Sequence, residues 1–406
     1  MIYVISCGIS SRSVTEDTKE IINRVSVVAG GNRLLDIFCN ESHERITIGT
    51  HAIDIVKDII KRSKNQDIAI LASGDALFHG IAGTIAKQID SSKYIVIPNI
   101  TAFQALCAKL KQSWSNFELF SLHGNNAVVP WRKILSTWQA IIYCDNSMPA
   151  HATAANLIEK YPSATARKAI TCANLGMDNE IIYRGTLREL SELETSGLSI
   201  LMLMSPDFKA MLPPLPLGLE DDHYTHEKNL ITHPETRTVI LSKLRLCGGV
   251  MWDIGAGSGS VGLEAAGICK DLTVYAIEKS PERVKDIRYN EEAEGLGNHH
   301  VVSGDILEQL QSLPDPDIVF IGGGGKDIKE IVSSAFERLN ANGRIVVSAL
   351  TMETIASLNS VLKKNLKEVV SIAISRSKSV GNLTMMKAEN QITIFTYIKG
   401  IKCKVK

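Results

Sequence analysis

Charge of one sign is what this chain most plainly lacks: its Lys and Arg number 44, balanced by 44 Asp and Glu. No field of one sign exists to draw in nucleic acid or an anionic membrane. A stripe of aromatic and basic residues of the kind that stacks bases is missing as well. The eight cysteines, at 7, 39, 107, 144, 172, 247, 269 and 403, include no C-x-x-C pair, and no His or Cys stands at zinc spacing. They read as buried free thiols of a reducing compartment, and no metal is expected. No apolar run approaches the length of a membrane span, and Met1 to Ser6 is too short for a signal-peptide core and lacks a basic leader. A cytoplasmic protein is expected. No catalytic-looking Ser/His/Asp set stands out either, which agrees with a transfer reaction that needs no triad.

Against these absences stands the run Trp252-Asp253-Ile254-Gly255-Ala256-Gly257-Ser258-Gly259-Ser260. Val250 to Ile254 reads as a buried strand and Val261 to Ala266 as the first turns of a helix. Backbone that passes close to a ligand cannot carry Cβ atoms, and a helix start offers unpaired N–H groups there. The dinucleotide fingerprint would need a third glycine at position 260, which is Ser260. The pattern D-x-G-x-G-x-G is met in full by Asp253, Gly255, Gly257 and Gly259, which favours S-adenosyl-L-methionine over NAD. Three further strands follow. Thr273 to Ile277 ends in Glu278, an acid placed to accept ribose hydroxyls. Val301 to Ser303 is followed by Gly304-Asp305-Ile306, where a carboxylate and a backbone N–H can hold an adenine edge. Asp317 to Ile321 ends in Gly322 to Gly325. Ligands of open α/β sheets sit outside the carboxyl ends of the strands, where all these residues fall. Ala256, Ser258, Asp305 and Ile306 complete the cofactor set, and the pattern is that of a Rossmann-like class I methyltransferase.

A chain of 406 residues suggests at least two cores. The prolines of Pro213-Pro214-Leu215-Pro216 stop helix and sheet alike, so 206–225 reads as a linker between domains 1–205 and 226–406. The first half also alternates strands with helical patterns, at Ile2 to Ser6, Ser26 to Ala29, Ile68 to Ala72, Tyr94 to Ile97, Ala140 to Tyr143, Ala169 to Ala173 and Leu198 to Met204, which argues for an α/β layer fold. Its strongest local signal is Leu71 to Gly80, a strand entering a glycine turn at Gly74-Asp75. Pro98 to Phe103, Ser121-Leu122-His123-Gly124 and Asn174-Leu175-Gly176 follow.

These four segments, in this order, resemble the tetrapyrrole (corrin and porphyrin) methylase family. Ser-Leu-His-Gly at 121–124 with Asn-Leu-Gly at 174–176 is similar to its precorrin C5-methylating branch. The second half, through 252–260, Phe-Ile-Gly-Gly-Gly-Gly at 320–325 and Leu-Thr-Met at 383–385, resembles the decarboxylating C15-methyltransferases. The resemblance implies a two-lobed N-terminal tetrapyrrole methylase domain, which binds S-adenosylmethionine between its lobes, fused to a class I domain. It further implies a bifunctional enzyme of cobalamin biosynthesis that methylates precorrin-6B, or its cobalt form, at C5 and C15 and decarboxylates the C12 acetate. Gly74, Asp75, Gly80, Thr101 and Ala102 would bind the first cofactor. Thr232, an N-cap by position, would touch the second. A homo-oligomer is expected.

The acetates and propionates of such a substrate call for Arg, Lys, amide and hydroxyl donors. Candidates are Gly322, Gly323, Lys326, Arg376, Lys378, Asn382, Thr384 and Lys387. His123 is the one catalytic candidate. His299-His300, His223 and His226 read as exposed loop residues. One departure from the family matters: its G-x-G-P-G opening loop is here Ser6-Cys7-Gly8-Ile9-Ser10-Ser11. That loss motivates an alternative in which the first domain is only a scaffold or holds intermediate. A methyltransferase for RNA or protein is disfavoured by the neutral charge.

Overall fold

The computed structural model describes every residue except 50–51, 79, 123–128, 196–197, 207–211, 213–214, 229, 401–406 and the side chain of Ala52. The chain divides into two compact units, Met1–Asn125 with Thr137–Met211, and Asn126–Ser136 with Leu212–Lys406.

In the first unit, β1 (Ile2–Ser6), β2 (Val27–Gly30), β3 (Glu44–Thr47), β4 (Ile68–Ala72) and β5 (Tyr94–Ile97) form a parallel sheet in the order β3-β2-β4-β1-β5. The inner strands are short runs of Ile, Val, Leu and Ala, almost wholly buried, as a parallel sheet covered on both faces requires. The second lobe is a mixed sheet of β6 (Glu118–Ser121), β7 (Ala140–Tyr143), β8 (Lys168–Ala173), β9 (Ile181–Thr186) and β10 (Ser199–Leu203), ordered β6-β7-β10-β8-β9. Three strands carry no sequence signal: β3, β6 and β9. All three are sheet edges, where one side of the ladder is open and a continuous apolar run is not needed.

The second unit holds β11 (Gly249–Ile254), β12 (Leu272–Glu278), β13 (His299–Ser303), β14 (Ile318–Ile321), β15 (Arg344–Ala349), β16 (Leu366–Ile372), β17 (Ser375–Val380), β18 (Leu383–Ala388) and β19 (Ile392–Ile398). Seven of them form one sheet, β13-β12-β11-β14-β15-β19-β16, with β11 to β15 parallel and β19 antiparallel to both its neighbours. The chain winds outward from β11 through β12 to β13, then returns to lay β14 on the other side of β11. The strand order therefore reverses between β11 and β14, and a reversal of this kind opens a crevice at the carboxyl ends. The strands β17 and β18 pair only with each other, as a hairpin.

Several sequence expectations give way. Within the stretch read as a linker Leu212, Leu215 and Tyr224 are buried, and the Gly218 and Leu219 N–H groups donate to the Glu264 carboxylate at 2.9 and 3.1 Å. A segment without regular structure can still bury its apolar side chains. Residues 126–136 also group with the second unit, where Arg132 Nε donates to the Glu294 carbonyl at 3.1 Å. His299 is no loop residue; it opens β13, opposite Val274, and is 3 % exposed. Among the described cysteines, all free, Cys247 is exposed, since it follows the end of the helix Pro234–Leu244 instead of lying in a core strand.

Candidate active sites

The turn after β11 is built from three left-handed glycines, Gly255 (φ +68°), Gly257 (φ +60°) and Gly259 (φ +76°), and leads into the helix Ser260–Ile268. Each answers a different demand. A Cβ on Gly255 would lie 3.0 Å from the Gly323 nitrogen, and one on Gly259 2.9 Å from Ile287 Cγ2. At Gly257 the nearest atom, the Leu230 carbonyl oxygen, is 3.8 Å away, so this glycine faces open space. Two glycines thus serve packing, and Gly257 leaves room for a ligand.

Acids at the ends of β11 and β12 hold the turn. Asp253, fully buried, accepts the Gly262 N–H at 2.9 Å. Glu278, 3 % exposed, accepts the N–H groups of Gly257, Lys279 and Ser280, each at 3.0 Å. A residue the motif did not point to completes the frame. Asn290 donates to the carbonyls of Ser258 and Thr225 at 2.9 Å each, and accepts from the Thr225 N–H at 2.8 Å. It ties the turn, through one amide, to the segment that precedes Thr232. Nothing local in the helix Pro281–Glu294 marks it.

The remaining second-unit candidates fall into four places. Asp305 caps the helix Ile306–Gln309 through the Leu307 N–H (3.0 Å) and is exposed at the end of β13, beside β12. Gly322 and Gly323 lie against the glycine turn: the Gly322 N–H donates to the Ile254 carbonyl at 2.9 Å, and Lys326 stands exposed two residues past Gly324. Arg376, Lys378, Asn382, Thr384 and Lys387 all belong to the β17–β18 hairpin, which leaves the sheet after β16, at the carboxyl edge. Arg376 is committed there to Glu389 (2.7 Å) and Glu235. Thr232 is not an N-cap. The cap of the helix Pro234–Leu244 is His233, and the Thr232 carbonyl instead accepts from the buried Arg237 guanidinium.

In the first unit a cavity of about 380 Å³ gathers Gly74, Asp75, Gly80, Thr101 and Ala102 from the first lobe with Ser121, Tyr143 and Asn174 from the second. Its wall is set by local geometry. A Cβ on Gly80 would lie 2.3 Å from the Ala76 carbonyl oxygen, which is why a glycine closes the turn. Thr101 starts the helix Ala102–Leu110 with a full capping box, paired with Gln104. The Phe103 N–H donates to the Tyr143 hydroxyl at 2.9 Å, and burial pushes the Tyr143 phenol up to about 12. The altered loop after β1 is firmly held. Gly8 (φ +63°) and Gly74 (φ +65°) exchange backbone hydrogen bonds of 3.1 and 2.9 Å, and Asn99 Nδ2 donates to the Ser6 and Ser13 carbonyls at 3.2 and 2.8 Å. Asn99 is a second residue with no sequence signal beyond its turn. His123, the catalytic candidate, lies outside the described residues.

Comparison with known proteins agrees with both halves. Residues 1–191 match the tetrapyrrole (corrin/porphyrin) methylases and residues 222–399 the precorrin methyltransferase domain. A precorrin-6Y C(5,15)-methyltransferase [decarboxylating] of a Sinorhizobium species is 27 % identical over 95 % of this chain and 93 % of its own. A probable cobalt-precorrin-6B C(15)-methyltransferase (decarboxylating) of Pyrobaculum calidifontis is 36 % identical over 44 % of this chain and 94 % of its own length. The chain belongs to the decarboxylating precorrin methyltransferases. A solved structure from Geobacter metallireducens, titled precorrin-6y C5,15-methyltransferase, is 37 % identical and covers 45 % of this chain and 97 % of its own, with a TM-score of 0.43. A decarboxylating precorrin methyltransferase requires a methyl donor; the first unit holds a cavity walled by Gly74 and Gly80, and in the second Gly257 has no atom closer than 3.8 Å to the place of a Cβ. Among the described residues no group of three or more His, Cys, Asp or Glu could hold a metal ion, and no helix is long and apolar enough to cross a membrane.

Proposed function

We propose that this chain is a bifunctional enzyme of cobalamin biosynthesis that methylates a precorrin, precorrin-6B or its cobalt form, at C5 in the first unit and at C15 in the second, with the carboxyl of the C12 acetate lost as carbon dioxide and a methyl left in its place. The observation that carries this reading is that each unit brings glycine turns to the carboxyl ends of its sheet: Gly74 and Gly80 line the first-unit cavity, and Gly255, Gly257 and Gly259 stand where the strand order of the second reverses.

S-adenosyl-L-methionine supplies a sulfonium methyl, whose transfer is an in-line displacement, so the protein mainly aligns donor and nucleophile. In the second unit Gly257 leaves the space, Glu278 and Asp305 present acceptors for ribose and adenine, and Thr232 lies on the same side. The nucleophile is a bridge carbon of the macrocycle, and electrons released by decarboxylation feed the same conjugated system. Gly322, Gly323 and Lys326 border the substrate's approach, with Lys378 and Thr384 reaching its carboxylates from the hairpin. In the first unit Gly74, Asp75, Gly80, Thr101 and Ala102 line the donor's place and His123 remains the candidate that touches substrate. We read the enzyme as a cytoplasmic homo-oligomer with no nucleic-acid or membrane partner, in domains 1–205 and 226–406; the burial of Leu212, Leu215 and Tyr224 supports a boundary near Leu212.

Product mass tests the whole reading. The intact enzyme with excess S-adenosylmethionine should add two methyl groups and lose one carbon dioxide. A product that stops at one methyl gained leaves only the second unit catalytic, and the first becomes a scaffold.

A further inference from the structure

Among the described residues that line the first-unit cavity, two carry a charge, Asp75 and Arg33. Asp75 is spent on its own turn, where its two oxygens accept the N–H groups of Leu77 and Asn99 at 2.8 and 3.4 Å. Arg33 is not. It stands at the start of the helix Asn32–Phe38, just past the end of β2, and its guanidinium donates to Ser73 Oγ at 3.1 Å, beyond the end of β4. Among the described residues it has no other hydrogen bond and no acid as partner. The acid best placed on its own helix is Asp36, three residues on, and that carboxylate pairs with Arg45 at 3.2 Å. Arg62 is likewise paired, with Glu44 at 2.6 Å and Asp58 at 2.9 Å.

The fold fixes this guanidinium at the cavity. Gly30 pairs with Leu71 at the end of β2, and a Cβ there would lie 3.1 Å from the Leu71 carbonyl oxygen, so glycine lets the two strand ends close up. Leu34 and Leu35 are buried beneath the helix, and Asn32 Oδ1 accepts the Thr47 hydroxyl at 2.9 Å. Arg33 is left exposed on the side of Ser73. One N–H is spent on that hydroxyl and the rest of the planar fork remains, which is the geometry that grips the two oxygens of a carboxylate.

We propose that Arg33 binds a carboxylate of the tetrapyrrole at the first site, holding one acetate or propionate while Ser73 keeps the guanidinium in place. The proposal rests on the reading of the first unit as the C5-methylating site and names a substrate contact there. The methyl donor carries a carboxylate as well, and the sheet order separates the two ligands. Thr101 and Ala102 follow β5, whereas Arg33 follows β2, and β4 and β1 run between them, which sets the two places about 14 Å apart at the usual strand spacing. The β2 end of the cavity is assigned to the tetrapyrrole.

Initial rates on the intact chain decide it, with precorrin-6B or its cobalt form as substrate and a 13C-methyl donor, so that NMR follows the C5 and C15 methyl groups separately. Arg33 is exposed, and its substitution leaves the core intact. Arg33→Ala should raise the KM of C5 methylation for the tetrapyrrole by about tenfold or more, the size of a lost charge-assisted contact, with kcat little changed. Arg33→Lys should recover part of that loss, because an ammonium keeps the charge but not the fork. The C15 rate and the affinity of the first unit for S-adenosylhomocysteine, read by calorimetry, should stay as they are. An unchanged KM in Arg33→Ala overturns the proposal. So does a fall in S-adenosylhomocysteine affinity while that KM holds, which gives the guanidinium to the donor's carboxylate instead. If the unsubstituted chain adds no methyl at C5, the reading of the first unit fails and this role falls with it; an unmoved KM in a chain that does add one removes Arg33 alone.

Discussion

The Glu278 carboxylate accepts the Gly257 N–H at 3.0 Å, so the acid at the end of one strand fixes the most open glycine of the turn after its neighbour. The same carboxylate holds Lys279 and Ser280 N–H groups through its other oxygen. Its three backbone bonds orient the carboxylate before any ligand arrives, so little ordering is left to be done on binding.

Glu278→Gln should therefore weaken binding of S-adenosylhomocysteine to the second unit by about 1 to 3 kcal/mol. Glutamine brings one amide oxygen to three N–H donors and turns its own NH2 toward some of them. Calorimetric titration of the intact chain reads the effect at one of two sites. An unchanged second-unit dissociation constant would remove Glu278 from the site.

Asn290→Ala removes both donors that tie Ser258 to Thr225, together with the acceptor of the Thr225 N–H. The turn stays glycine-rich but loses its frame, and the buried carbonyl of Ser258 is left bare. A loss of about 1 to 3 kcal/mol in second-unit ligand binding is expected, with the first unit untouched. Equal weakening at both sites would show instead that the substitution acts on folding as a whole.

Gly80→Ala separates the two activities. The added Cβ meets the Ala76 carbonyl at 2.3 Å, and a backbone atom cannot yield as a side-chain tip does. The turn behind Asp75 must shift and the first-unit cavity with it. The expected product carries one added methyl and has lost carbon dioxide, whereas a doubly methylated product at the natural rate would place donor binding away from this cavity.

A fragment starting at Leu212 should be more stable than one starting at residue 226. The shorter piece loses Leu215 and Tyr224 from the core and strips Glu264 of the Gly218 and Leu219 N–H groups. Burial of one such side chain is worth about 1.5 to 3 kcal/mol, so the difference should appear clearly in urea midpoints. Equal midpoints would mean that 212–225 is a linker after all.

The inner strands of the first two sheets, and β11, β12 and β14 of the third, were legible in the sequence because a strand buried on both faces needs an unbroken apolar run, whereas the inner strands β15 and β19 were not read; the glycine turns were legible because a left-handed backbone disfavours Cβ. Gly255, Gly257, Gly259 and Glu278 could be placed from spacing alone, since each sits at the end of a strand the run itself defines. What the tertiary structure decided lies wherever a residue's role depends on a partner far along the chain. Asn290 reaches Ser258 from 32 residues away, and which side chain meets the turn depends on how the next helix is laid across the sheet. His299 looked like a loop residue because only its pairing with Val274 makes it strand, and Thr232 has no capping role because the helix starts at Pro234 and its cap is His233. The edge strands β3, β6 and β9, and the buried Leu212 and Leu215 before Gly218, follow the same rule. Local pattern records how a segment is buried; only the sheet order records what it is buried against.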